Sequence, residues 1–397
     1  MNHTFRLKSI IVRRRYFSFF CFCILLLGNR ISLFAQGLPE ASGQDSVQVH
    51  FFPVAAYTSD EGIIVGGAIS RLDFRGGVKP YHSRFTTMPL VSTKGYISLD
   101  IKYQQTHLFN APWRLLVNPY LYRIVNDNYF GLGNSTAFSS HLWNKGFYYV
   151  ETLNLGLDVK TTYPLVSNSI GQRLKLQLQG GFSYLDPRSR GDSTKFNLDN
   201  PVGMKGRWHN YVGAGLVWDN RDDVDLPTRG NWASVEVNLS PKLILNQHSN
   251  LDYKIQYAHY FSFHLIRDVV VAQRLYWHQL IGAASYWYKP YLGDDHTLRG
   301  FPERRFTGNA TMIYNLELRT WLFSLPSLHI RVGGQLFMDA GKVYETKDNY
   351  THFFEHYKHT FGFGGSLSLF DPHFFIRGDL GFSKDLWRIY AGFGYMF

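Results

Sequence analysis

His296–Leu322 reads HTLRGFPERRFTGNATMIYNLELRTWL, and it changes character halfway. His296–Asn309 is polar, carries Arg299, Arg304 and Arg305, and has glycines at 300 and 308. That composition marks a loop held in a special backbone shape. Met312–Leu322 alternates instead: Tyr314, Leu316 and Leu318 fall on one face, Asn315, Glu317 and Arg319 on the other. A two-residue period with one apolar and one polar face is a β-strand between two different surroundings. An arginine-rich loop, followed by a strand that turns a carboxylate to its polar face, reads as a loop that folds back and is gripped by a wall.

Working outward, the same alternation recurs from His50 to Phe397. Sixteen segments carry it, near 50–57, 62–74, 83–93, 95–106, 113–126, 146–160, 172–185, 209–220, 231–241, 251–264, 268–281, 312–323, 328–342, 359–370, 373–383 and 387–397. Each is close to the ~10 residues of a tilted membrane-spanning strand. The number is even, which puts both ends of the sheet on one side, as in bacterial single-chain barrels. Alternate connections are tight (Ser324-Leu325-Pro326, Phe370-Asp371-Pro372), and Gly282–Thr311 and Glu345–His359 are long. The expected fold is therefore all-β, an antiparallel transmembrane barrel of sixteen strands over residues 50–397. In the last segment, Trp387, Ile389, Ala391, Phe393, Tyr395 and Phe397 are expected to face lipid. Arg388, Tyr390, Gly392, Gly394 and Met396 are expected to face the lumen. A soluble β-sandwich is the alternative, but it needs fewer strands per domain and less aromatic residue on its outer face.

Composition agrees with export to a membrane. Arg13, Arg14 and Arg15 precede the apolar run Tyr16–Leu27, and Leu33-Phe34-Ala35 offers a cleavage site before Gln36. Residues 1–35 thus read as a signal peptide, the apolar run being shorter than a spanning helix. Residues 36–49 read as a short N-terminal periplasmic peptide, free or plugging. Both cysteines, Cys21 and Cys23, fall in the leader, so the expected mature chain has no disulfide, thiolate metal site or cysteine nucleophile. Of the formal +11 charge, six basic residues and no acid lie in the leader, leaving +5, which does not argue for nucleic acid. Aromatic content is 17%, yet mean hydropathy is only −0.20 and no second long apolar run exists. Barrel strands give that combination because only alternate residues meet lipid.

Several motifs then fall in a telling order. Tyr57–Gly67 (YTSDEGIIVGG) covers the first hairpin, followed by Tyr129–Asn134 (YFGLGN). Asp222, Pro227 and Gly230 mark the turn between the eighth and ninth segments. Leu298-Arg299-Gly300-Phe301 lies between the eleventh and twelfth, Asn315–Arg319 on the twelfth, and Phe337-Met338-Asp339-Ala340-Gly341 on the thirteenth. Together they resemble the BamA/TamA superfamily of outer-membrane assembly and translocation barrels (the bacterial surface antigen type) over essentially the whole mature chain. The resemblance implies that Leu298–Phe301 is the tip of the sixth extracellular loop, folded into the lumen, with Leu where the family has Val. It implies an FxDxG motif at Phe337, Asp339 and Gly341, an inward Glu317, and a C-terminal sorting signal ending in Gly392, Tyr395 and Phe397. Arg299 is accordingly expected to bond Asp339 or Glu317 and lock the loop, since a guanidinium matches a carboxylate in two-pronged geometry. Gly300 would permit the turn, and Phe301 would pack on the inner wall. Family members usually carry periplasmic POTRA domains, and the expected mature N-terminus leaves no room for one.

Other chemistry is thin. His352-Phe353-Phe354-Glu355-His356 fits H-x-x-E-H, but such a zinc site needs a helix and this stretch sits in a loop, so metal and catalytic residues are not expected. No cofactor pattern occurs. The resemblance implies assistance to assembly, insertion or translocation of proteins at the outer membrane. A passive channel or structural barrel is the first alternative and an outer-membrane hydrolase the second. Expected partners are outer-membrane lipid, the barrel-assembly machinery for the chain's own insertion, and a separate periplasmic partner or client protein, with no nucleic acid.

Overall fold

Alternation along each segment becomes a single sheet in the computed structural model, which describes residues 47–77, 81–167, 173–243, 245–328, 330–345, 352–369 and 375–397. The expected leader, nearly all of the expected 36–49 peptide and the expected turn Phe370-Asp371-Pro372 lie outside the described residues. The strands are β1 (Val47–Thr58), β2 (Gly62–Asp73), β3 (Ser83–Ser92), β4 (Ile97–Leu108), β5 (Trp113–Asn128), β6 (Tyr149–Ser167), β7 (Arg173–Ser189), β8 (Arg207–Asp219), β9 (Gly230–Ser240), β10 (Asn250–His264) and β11 (Asp268–Gly282). After the two-residue β12 (Tyr291–Leu292) and β13 (Phe306–Thr307) come β14 (Ala310–Leu325), β15 (Ile330–Tyr344), β16 (Lys358–Leu369), β17 (Phe375–Phe382) and β18 (Trp387–Phe393). Apart from β12 and β13, all belong to one 16-stranded antiparallel sheet whose neighbours follow chain order. The first strand begins at Val47, a few residues before the expected boundary.

The wall sorts its side chains by parity. On β15, Leu336 and Met338 are exposed on the outer face, while Gln335, Phe337 and Asp339 between them are buried. On β14, Asn315, Glu317 and Arg319 are buried in the same way. Register aligns these inward residues. Asn315 pairs with Asp339, Glu317 with Phe337, and Arg319 with Gln335, and across the next strands Gln335 pairs with Gly364 and Gly364 with Asp379. The result is a contiguous polar patch on the inner wall. Glycine makes room within it: a Cβ at Gly362 would stand 2.2 Å from Phe337 Cζ.

One rim, here called outer, carries the long connections 129–148, 190–206, 283–309 and 345–357. The inner rim is made of shorter turns. In the turn after β8, Asp222 Oδ1 accepts from the backbone N–H of Asp223, Thr228 and Arg229 at 2.9–3.1 Å. A carboxylate capping three amides explains why Asp222 and Gly230 stand together in that motif.

The sheet's two edges meet at a narrow seam. Ser59 N donates to Ile389 O at 3.1 Å, Ile389 N donates to Ser59 Oγ at 2.9 Å, and Arg388 pairs with Asp60. These contacts sit at the outer ends of β1 and β18, and no ladder between the two strands occurs among the described residues. β18 stops at Phe393 rather than continuing to Phe397. Gly394 has φ +71, a conformation that glycine tolerates without strain, and the path bends there. This corrects the expected lipid-facing positions of the last residues. The Tyr395 ring packs against Phe375 at 4.7 Å and under the lumenal Arg319 guanidinium at 4.0 Å. Phe397 packs against Ala258, Tyr260 and Ala272, and its carbonyl oxygen accepts from Arg319 Nη2 at 3.0 Å. The chain after Gly394 is turned into the barrel.

Candidate functional site: a loop held in the lumen

The connection 283–309 enters the barrel as an ordered structure. Its base is zipped by β12 and β13, where Tyr291 pairs with Thr307. Asp294 then shapes the turn toward the tip: its Oδ1 accepts from His296 N, Thr297 N and Thr297 Oγ1 at 2.7–2.9 Å. This side-chain capping of nearby amides is the usual service of Asp in loops. Leu298 and Phe301, both buried, pack with Leu292, Phe306, Ile313 and Val343, so the apolar side of the tip sits on β14 and β15. Gly341 supplies the space, since a Cβ there would be 2.7 Å from Leu298 Cδ1.

Arg299 projects from this tip into the polar patch and is 0% exposed. Its Nε and Nη2 donate to the two oxygens of Asp339 at 2.9 and 2.8 Å, and its backbone N donates to Asp339 Oδ2 at 3.1 Å. Nη1 donates to Glu317 Oε1 at 2.5 Å and lies 3.4 Å from Asp379 Oδ2. The guanidinium plane stands 3.5 Å from the Phe337 ring centroid, which closes its remaining face. Asp339 and Glu317 are thus both partners, not one of them, and Asp379 is a third that sequence reasoning missed. Two further arginines complete the patch. Arg319 Nε donates to Glu317 Oε2 at 2.8 Å, and Arg377 Nε pairs with Asp379 Oδ2 at 3.1 Å. Asn315 ties loop to wall, donating to Asp339 Oδ1 at 2.8 Å and to Thr297 O at 2.9 Å.

Three buried guanidiniums, of Arg299, Arg319 and Arg377, thus pair with three buried carboxylates, of Glu317, Asp339 and Asp379, and a fourth buried arginine, Arg274, donates to Asn315 Oδ1 at 3.0 Å beside them. Buried charges persist when they are paired and hydrogen-bonded. Gly300 is required beside them. Its φ is +104, and a Cβ would fall 2.8 Å from Phe382 C. Its N–H donates to Tyr390 Oη at 3.0 Å, and Tyr390 Oη donates in turn to Phe301 O at 3.0 Å. β18 therefore touches the loop tip through Tyr390, another residue that sequence reasoning did not single out. Gly392 lies on β18 opposite Arg377.

Farther out, Arg305 is buried. It donates to Asp385 Oδ2, Thr136 Oγ1 and Thr136 O at 2.6–2.9 Å and stacks near Phe306. The 345–357 connection holds His352, Glu355 and His356. His352 Nδ1 lies 2.8 Å from Glu355 Oε2, and all three side chains are exposed. Among the described residues no three His, Cys, Asp or Glu side chains are arranged to hold a metal ion.

Comparison with known proteins places this geometry. A family model described as the Omp85 superfamily domain matches residues 90–397. The solved BamA from Haemophilus ducreyi, lacking POTRA domains 1–3, superposes with a TM-score of 0.59 at 13% identity, covering 88% of this chain and 70% of that one. CdiB from Escherichia coli superposes with a TM-score of 0.52 at 14% identity, covering 90% of this chain and 64% of that one. No match to a curated protein sequence was found. At these identities the solved structures share the barrel fold. The chain spans about two thirds of their length.

Proposed function

Because the chain belongs to the Omp85 superfamily, we propose that this outer-membrane barrel assists the assembly, insertion or translocation of proteins. Its means are a lumenal loop locked by Arg299 and a labile β1–β18 seam. The observation that carries the reading is the seam itself. β1 has 12 residues and β18 has 7, their contacts sit at the outer end, and the chain after Gly394 turns away from β1. Among the described residues no ladder joins the rest of β1 to β18. In a bilayer each unpaired backbone group costs several kcal/mol, so an exposed edge is a template for an incoming strand. The Arg299 cluster supports the same reading, because it braces the inner wall on β14–β17 next to the movable edge. Outer-membrane lipid, a barrel-assembly machinery for the chain's own insertion, and a client or periplasmic partner are the contacts this role needs.

The test is a reversible tether. Residues 47–397 contain no cysteine, so Ser59→Cys with Ile389→Cys gives one clean disulfide across the seam. Cells relying on the tethered protein should lose a defined set of outer-membrane or surface proteins, measured by quantitative proteomics, and recover them with reductant. An unchanged outer membrane, with the tether shown to have formed, would overturn the assembly reading in favour of a channel or structural barrel.

A further inference from the structure

The outer rim holds a cavity of about 360 Å³ between the 129–148 and 190–206 connections, away from the Arg299 cluster. Its floor is the half-buried Phe147, backed by a stiff, buried aromatic layer. Phe130 stacks on Trp143 with centroids 5.8 Å apart and planes 8° apart, and lies 4.7 Å from Tyr148. Its edge carries one ion pair: Lys195 Nζ donates to Asp199 Oδ2 at 2.8 Å, and Tyr129 Oη donates to the same oxygen at 3.2 Å. Lys195 N donates to Phe147 O at 2.9 Å, so the pair is fixed to the floor. Gly131, with φ +93, keeps the space beside the pair open: a Cβ there would stand 3.2 Å from Lys195 Cε and 3.6 Å from Asp199 Oδ2.

The chemistry of this bowl selects among ligands. The charges on its edge cancel, which offers little to an ion. An apolar side chain would cover Lys195 and Asp199 without returning hydrogen bonds, and desolvating polar groups unpaired is unfavourable. A ring with an apolar C–H face and hydroxyls along its edge suits both parts, and the volume falls in the range of small-ligand sites. We propose that this cavity is a carbohydrate site that takes one pyranose ring. The ring's C–H face lies on Phe147, the half-buried aromatic of the wall, with Phe130 and Tyr148 packed behind it. Neighbouring hydroxyls bridge the pair, one accepting from Lys195 Nζ and one donating to the Asp199 carboxylate. The site also touches the central loop, because Thr136, in the cavity wall, accepts from Arg305 Nη1 at 2.6 Å. The proposal does not depend on the assembly reading.

The test is saturation-transfer NMR and titration of the detergent-solubilised full chain with methyl glucopyranoside, galactopyranoside and mannopyranoside, and with core oligosaccharide released from the host's outer-leaflet glycolipid. At least one should bind. Asp199→Asn and Lys195→Met should each weaken it about tenfold or more, the scale of a charged hydrogen bond, and Ala137→Trp, which fills the bowl, should abolish it. Unchanged heat-modifiable migration shows that each variant is folded. Tighter binding of the core oligosaccharide assigns the site to a membrane glycolipid, and equal binding assigns it to free glycan. Binding of none of them by the folded wild type, or binding undiminished by Ala137→Trp, overturns the proposal.

Discussion

Replacing Arg299 by alanine is the sharpest perturbation of the loop. It removes the guanidinium that makes the ion pair with buried Asp339, while Arg319, Arg377 and, on Asn315, Arg274 stay in the patch. Asp339 suffers most: it loses two side-chain bonds of 2.9 and 2.8 Å and keeps Asn315 as its side-chain donor. Glu317 and Asp379 retain Arg319 and Arg377. Stranding a buried charge by deleting its partner costs about 3–5 kcal/mol. Each 1.4 kcal/mol is tenfold, so the undocked loop should become about 10² to 4 × 10³ times more populated. Trypsin reads this directly, because Arg305 is buried and Arg304 is only 12% exposed in the docked loop, and both are exposed once it leaves. When closing outpaces cleavage, the rate follows the open population, so Arg299→Ala should be cut within 283–309 that many times faster. Arg299→Lys should lie between, since one ammonium cannot reproduce the two-pronged grip on Asp339. Adding Asp339→Asn to Arg299→Ala should recover part of the loss. A protease resistance of Arg299→Ala equal to wild type, in a folded barrel, would refute the lock.

Gly300→Ala should release the same loop with every charge in place, because the new Cβ meets the Phe382 backbone at 2.8 Å and the φ of +104 is unfavourable to alanine; wild-type resistance to trypsin would count against the fit. Glu61, in the β1–β2 turn, is pushed up to about 7, chiefly by burial, with Lys94 opposing and Asp127 adding to the rise. The folded chain therefore holds a proton there that the unfolded chain releases above the ordinary carboxylate range, so this contribution is complete below about 4.5 and is lost as pH rises through about 7. Glu61→Gln should accordingly raise the thermal midpoint at alkaline pH and leave it unchanged at pH below 4.5; an equal shift at both would mean that Glu61 does not titrate as described.

The barrel was legible in the sequence because lipid and lumen impose opposite demands on alternate residues, and that signal survives in every strand from Phe51 to Phe393. Pairing order followed, since each strand neighbours the next. Arg299, Glu317 and Asp339 were legible through a family resemblance, and their positions on β14 and β15 through parity. Asp379 was missed although its strand carries the same signal: Phe375, Arg377 and Asp379 share one face. Parity turns Asp379 inward, but only the fold brings Arg299 Nη1 to 3.4 Å from its Oδ2. Arg305 and Tyr390 were not legible, because their partners lie on distant connections that no period brings together.

The last four residues show where parity fails, and what that does to the coupling of loop and seam. Alternation runs unbroken through Trp387–Phe397, yet one left-handed residue, Gly394, redirects everything after it. Phe397 then reaches Arg319, which also holds Glu317, which also holds Arg299. The chain of contacts joins seam to loop, but its links are unequal. Losing the tail removes one Arg319 donor bond and some apolar packing, and no charge is stranded, because Glu317 keeps both guanidiniums. Losing Arg299 strands a charge. The geometry therefore lets the inner end of the seam rearrange while the loop stays docked. Phe397→Ala should loosen the tail, seen as faster labelling of a cysteine placed at Met396, without speeding trypsin cleavage of the loop. Cleavage that rises with tail release would show instead that Arg319 transmits the seam's state to Arg299, making the two parts one switch.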